Sequence, residues 1–103
     1  MSQHEHEGAR PGTVIIVGGK GGLQARYREA VEARGYELRH YEQRVPPRHV
    51  PSKTKIAAVI VMISMVSHPL LSQARSMAGQ GTAIVYLKSS SVSAVREVVA
   101  RLT

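Results

Sequence analysis

The sequence predicts an α/β domain built on a small open parallel sheet, and three observations carry that reading. Two runs, TVIIV (13–17) and IAAVIVMI (56–63), are apolar throughout, as strands covered on both faces are. Segments of helical spacing alternate with the strands, in the order β-α-β-loop-β-α-β-α. Right-handed crossovers leave few arrangements, and the expected strand order is 2-1-3-4 with helices on both faces, a flavodoxin- or Rossmann-like sheet.

Residues 1–12 read as a polar, disordered tail, and residues 13–103 as a single domain. The first strand, 13–17, runs into GGKGG (18–22). Residues 23–34 form the first helix, with Leu23, Tyr27, Ala30 and Val31 at i, i+4, i+7 and i+8, and Gly35 stops it. YELRHY (36–41) alternates, as a strand near an edge does. The segment EQRVPPRHVPSKTK (42–55) stands where a helix would normally cross back, and Pro46, Pro47 and Pro51 forbid a regular one. Residues 56–63 form the third strand. Residues 69–78 form a helix with Leu70, Leu71, Ala74, Met77 and Ala78 inward, ended by Gly79. TAIVYL (82–87) is the fourth strand, and 92–102 is a last helix carrying Val92, Val95, Val99 and Leu102.

A proline-rich crossover covers its share of the sheet poorly. A homodimer, or a higher even oligomer, is therefore expected to bury the uncovered face or an exposed edge strand.

Composition narrows the chemistry. The core is aliphatic: hydrophobic residues make up 43%, with no Phe and no Trp, and the aromatics are Tyr27, Tyr36, Tyr41 and Tyr86. There is no cysteine, which excludes disulfides, thiolate metal sites and a cysteine nucleophile. No apolar run approaches the ~20 residues that span a bilayer, and residues 1–12 lack the apolar stretch of a signal peptide. No membrane contact is expected, and the cytoplasm is the default compartment. Residues 1–42 hold six Lys/Arg and six Glu, whereas residues 43–103 hold eight Lys/Arg and one Glu. The formal charge of +7 thus lies wholly in the second part of the chain, which favours an anionic partner. His4 and His6 read as solvated tail residues, and no metal site is expected.

The glycine loop matches no diagnostic nucleotide motif. In G-x-G-x-x-G counted from Gly19, the third glycine falls on Gln24, and no Gly-Lys-Ser/Thr triplet completes a P-loop. General physics remains. Glycine turns expose backbone N–H groups beside a helix start, and Lys20 adds charge. The competing reading is a tight turn that needs glycine for positive φ.

Topology favours a site. Order 2-1-3-4 puts the switch point between strands 1 and 3, where open α/β sheets bind ligands. Gly18, Gly19, Lys20, Gly21 and Gly22 follow strand 1, Ser64, Ser67 and His68 follow strand 3, and Lys88, Ser89, Ser90 and Ser91 follow strand 4. His40 ends strand 2 towards the same edge, where it reads equally well as a solvated surface residue. Together these form a candidate pocket for a nucleotide or another phosphate-containing ligand. Ser67 reads first as the cap of the helix that follows, whereas Ser89 to Ser91 serve equally well as helix caps and as ligand contacts.

These residues resemble a bacterial family known as domain of unknown function 2325. The resemblance rests on IIVGG (15–19), Tyr27-Arg28, His40, V-S-H (66–68) and Y-L-K-S-S-S (86–91) with its terminal helix, and covers about residues 13–102. It implies a small Rossmann-like domain with the glycine pair and the Ser-His pair as marked positions, and it implies no activity. Members of the family usually carry an acidic residue after the strand 2 histidine and a helix beyond it. Here Tyr41-Glu42 and the proline-rich loop follow. The pattern also places Asp or Cys before V-S-H, where this chain has Ser64-Met65.

The inventory for catalysis is poor. Asp and Cys are absent, and Ser67-His68 are consecutive and diverge at a helix start, which is no triad. The expectation is a non-catalytic binding or accessory module with no catalytic residues. The alternative is non-specific nucleic-acid binding through the basic loop 39–55, by Arg39, Arg44, Arg48, Lys53 and Lys55.

Overall fold

A computed structural model describes residues 12–19, 21–42, 55–78 and 82–102, the Met65 side chain excepted. Four strands, β1 (Thr13–Val17), β2 (Glu37–Tyr41), β3 (Ile56–Met62) and β4 (Ala83–Leu87), alternate with three helices, α1 (Gln24–Glu32), α2 (His68–Met77) and α3 (Val92–Leu102). The strands form one sheet in order β2-β1-β3-β4, and every pairing is parallel. The fold class and strand order are those expected.

The two apolar runs are buried on both faces because helices lie above and below them. On one face Val14, Ile16, Leu38, Ile60 and Met62 pack beneath Tyr27, Ala30 and Val31 of α1 and Val95 and Val99 of α3. On the other, Ile15, Val17, Tyr41, Val59 and Val61 pack against Leu70, Ala74 and Met77 of α2. Each buried Val, Leu, Ile or Met side chain among them contributes about 1.5–3 kcal/mol. Leu71 and Ala78 are half-buried at the margin of the second cluster.

Several boundaries move by a residue or two. A 3-10 turn, Gly21–Leu23, precedes α1, so Leu23 is half-buried outside the α-helix proper. β2 starts at Glu37 and β4 at Ala83. β3 ends at Met62 instead of Ile63, which opens a 3-10 turn (Ile63–Met65) and is 42% exposed. α2 starts at His68 because Ser67 caps it: Ser67 Oγ accepts the Leu70 N–H at 3.3 Å, with Pro69 in the first turn. α2 ends at Met77, with Ala78 extended as its C-cap instead of helical. The tail 1–11, Gly79 and the crossover 43–54 with its three prolines lie outside the described residues.

Candidate functional site

Parallel pairing in register sets the carboxyl ends of the central strands side by side. Val17 of β1 pairs with Tyr41 on one side and with Val61 on the other. The glycine turn after β1 therefore stands between the end of β2 and the turn after β3. Met62 pairs with Leu87, which brings the loop after β4 to the same edge.

Most candidate residues here have structural duties. Gly18 donates its N–H to the Tyr41 carbonyl at 2.8 Å. His40 Nε2 lies 2.7 Å from the Gly18 carbonyl, so Nε2 carries the proton and donates it. Its Nδ1 is buried, with no hydrogen-bond partner among the described residues. Gly19 has φ +85°, and a Cβ there would stand 2.7 Å from Met62 Sδ and 3.3 Å from the Tyr27 hydroxyl. A side chain at this position meets both backbone strain and a packed neighbour. The Tyr27 ring meets the His40 ring edge-on, with centroids 5.3 Å apart. Its hydroxyl donates to the Ser90 carbonyl and touches Met62 Sδ at 3.7 Å. Tyr27 and His40 thus tie the loops after β1, β2 and β4 to one another.

The other side of the turn holds a carboxylate. A Cβ on Gly21 would overlap Glu42 Oε2, so the Glu42 carboxylate rests against the Gly21 α-carbon at the start of the 3-10 turn. Gly22 is exposed, with nothing within 4 Å of the space a Cβ would take. No side chain caps α1 at Leu23. Lys20 lies outside the described residues.

Among the remaining candidates, Ser64 Oγ donates to the Lys88 carbonyl at 3.1 Å, pinning the turn after β3 to the end of β4. Ser89 Oγ accepts from the Ser91 N–H, and Ser91 Oγ caps α3 by accepting from the Ala94 N–H. His68 is exposed in the first turn of α2, and Lys88 is exposed beyond β4. Arg39 and Lys55 are exposed at the two ends of the basic crossover, whose Arg44, Arg48 and Lys53 lie outside the described residues. Burial pushes the Tyr41 phenol above its ordinary pKa, and the nearby Arg39 charge partly opposes that. No cluster of three metal-ligating side chains occurs among the described residues, nor is any helix among them long and apolar enough to cross a membrane.

Two open grooves of about 450 Å³ each flank α1. One, against α3, carries Glu29, Arg34, Arg96 and Glu97. The other, along β2, carries Arg28, Glu32, Glu37 and Arg39. Each balances two positive charges with two negative ones, which gives neither a bias towards an anion.

Residues 13–102 match the model of a family described as "Uncharacterized protein conserved in bacteria (DUF2325)". The chain belongs to this family. No curated relative and no solved structure matches it. In this DUF2325 domain the glycine pair, His40 and the Ser67-capped helix start all lie on the carboxyl edge of the sheet. The sequence did not disclose three of the contacts there: the Tyr27 hydroxyl on Ser90, Met62 beneath Gly19, and Glu42 against Gly21. For Tyr27 a signal existed, because a tyrosine facing inward in a chain without phenylalanine needs a partner for its hydroxyl.

Proposed function

We propose that this chain is a small binding module that takes a phosphate-type anion at the carboxyl edge of the sheet, between β1 and β3, and performs no reaction on it. One observation carries the reading. The pairing of Val17 with Val61 sets the ends of these two strands side by side at the point where the strand order reverses. The loop after β1 and the loop that leads into α2 thereby open on the same edge of the sheet. Two helices begin at this point, and their first N–H groups carry a partial positive charge that favours an anion. Glu42 occupies the Gly21 side of the turn. An incoming anion therefore approaches over Gly22 and His68, with Lys20 supplying the formal charge.

The test is a thermal shift with inorganic phosphate, then with nucleotides, on the parent and on Lys20→Ala and His68→Ala. A ligand that binds only the folded state raises the melting temperature by mass action. Each lost charge-assisted hydrogen bond is worth roughly 1.5–3 kcal/mol, about 10- to 150-fold in affinity. Both variants are expected to fold like the parent and to lose the ligand-dependent shift. If they unfold, the two residues are structural. If no phosphate compound shifts the parent, the glycine loop is a turn and nothing more.

A further inference from the structure

β4 reads as an interior strand and stands at an edge. Its sequence, Ala-Ile-Val-Tyr-Leu, contains no charge and no proline. Edge strands are usually defended by charged side chains, proline or a bulge. The opposite edge follows that rule: β2 carries Glu37, Arg39 and His40. In β4 Ala83 is exposed, Tyr86 is 46% exposed, and Ile84, Val85 and Leu87 are only half-buried. The helices rest mainly on β1, β2 and β3 and on one another, so β4 overhangs them. The turn that touches β4 presents Ile63, the other large exposed apolar side chain among the described residues.

We infer that β4 pairs with β4 of a second copy, antiparallel about a two-fold axis at Val85, to make one continuous eight-stranded sheet. This register is self-complementary. It sets Ile84 opposite Tyr86 of the second copy, twice, on the α2 face of the sheet, and aromatic–β-branched pairs of this kind stabilise antiparallel strands. On the other face Val85 meets Val85, and the small Ala83 meets Leu87.

Charge agrees with it. A chain of formal charge +7 associates with itself most readily along a strip that carries none. The nearest cation to β4 in sequence, Lys88, falls opposite Thr82 of the second copy. The two Lys88 positions are then six residue steps apart, roughly 20 Å at about 3.3 Å per residue, beyond the screening length of about 8 Å. A two-fold interface takes about 800 Å² from each partner. Five residues of strand edge do not supply that alone, and the exposed Ile63 side chain in the turn beside β4 extends the strip.

Light scattering at high micromolar concentration is expected to give twice the 11.2 kDa of one chain. Tyr86→Lys and Ala83→Lys place charge at exposed positions of the strip, and each is expected to give the single-chain mass with an unchanged circular dichroism spectrum. The chain has no cysteine, so Val85→Cys introduces a unique thiol at the axis. Directly opposed residues in antiparallel strands have Cα atoms about 4.5–5.5 Å apart, within disulfide reach. Mild oxidation should therefore cross-link Val85→Cys nearly fully, and Thr82→Cys hardly at all. A parent that stays at 11.2 kDa overturns the inference. So does a dimer that survives both lysine variants and leaves Val85→Cys uncross-linked, or one that is broken by Arg39→Glu on β2 instead.

Discussion

The Tyr27 hydroxyl joins parts of the chain that lie far apart in sequence. It sits in α1, touches Met62 at the end of β3 and donates to the carbonyl of Ser90 in the loop after β4. Tyr27→Phe keeps the ring and its edge-on contact with His40 but leaves the Ser90 carbonyl without this donor. A net hydrogen bond contributes about 1 kcal/mol, and an unsatisfied buried group costs about 1–3 kcal/mol. The variant is expected to lose about 1–2 kcal/mol, read as a lower denaturant midpoint at unchanged slope. An unchanged midpoint would mean that the hydroxyl holds nothing. Residue roles of this kind were only half visible in the sequence. The inward position of Tyr27 follows from helical spacing, whereas its partner lies 63 residues away and is set by the tertiary packing. Gly18 and Gly19 announced a turn. The reason Gly19 tolerates no side chain, Met62 beneath it, depends on which residue ends the neighbouring strand.

Elements were more legible than contacts. Continuous apolar runs marked β1 and β3, and the 3.6-residue stripe marked Tyr27, Ala30 and Val31 for α1 and Val95 and Val99 for α3. The charged alternation of β2 announced an edge. β4 was placed at the other edge by the strand order alone, because an uncharged run of β-formers looks the same whether it lies inside a sheet or at its border. Ile63 is a smaller case of the same limit: apolar continuity assigned it to β3, and the chain turns one residue earlier. The crossover between β2 and β3 carries a prediction of its own, since residues 39–55 hold five Lys/Arg against one Glu. Replacing Arg44, Arg48, Lys53 and Lys55 by Ala is expected to weaken any nucleic-acid binding equally for all sequences. The salt slope should flatten by up to about four phosphate equivalents. A quadruple variant that binds as the parent does would make this segment a connection only.

At the scale of the molecule, the two proposals rest on two different borders of one thin sheet. Its carboxyl edge gathers the ends of four parallel strands and the starts of three helices. Its β4 flank is apolar and underfilled. The topology that produces both was readable, because right-handed crossovers and burial of the central runs leave little else. Anion binding was not, since glycines, serines and a histidine at helix starts serve anions and turns alike. Observing the amides themselves separates the two. In a phosphate titration followed by ¹⁵N–¹H correlation spectra, binding at the proposed edge predicts saturable shifts in the amides of Gly19, Gly21, Gly22 and His68, with the grooves flanking α1 undisturbed. Shifts confined to residues 39–55, or none up to millimolar phosphate, would contradict the account.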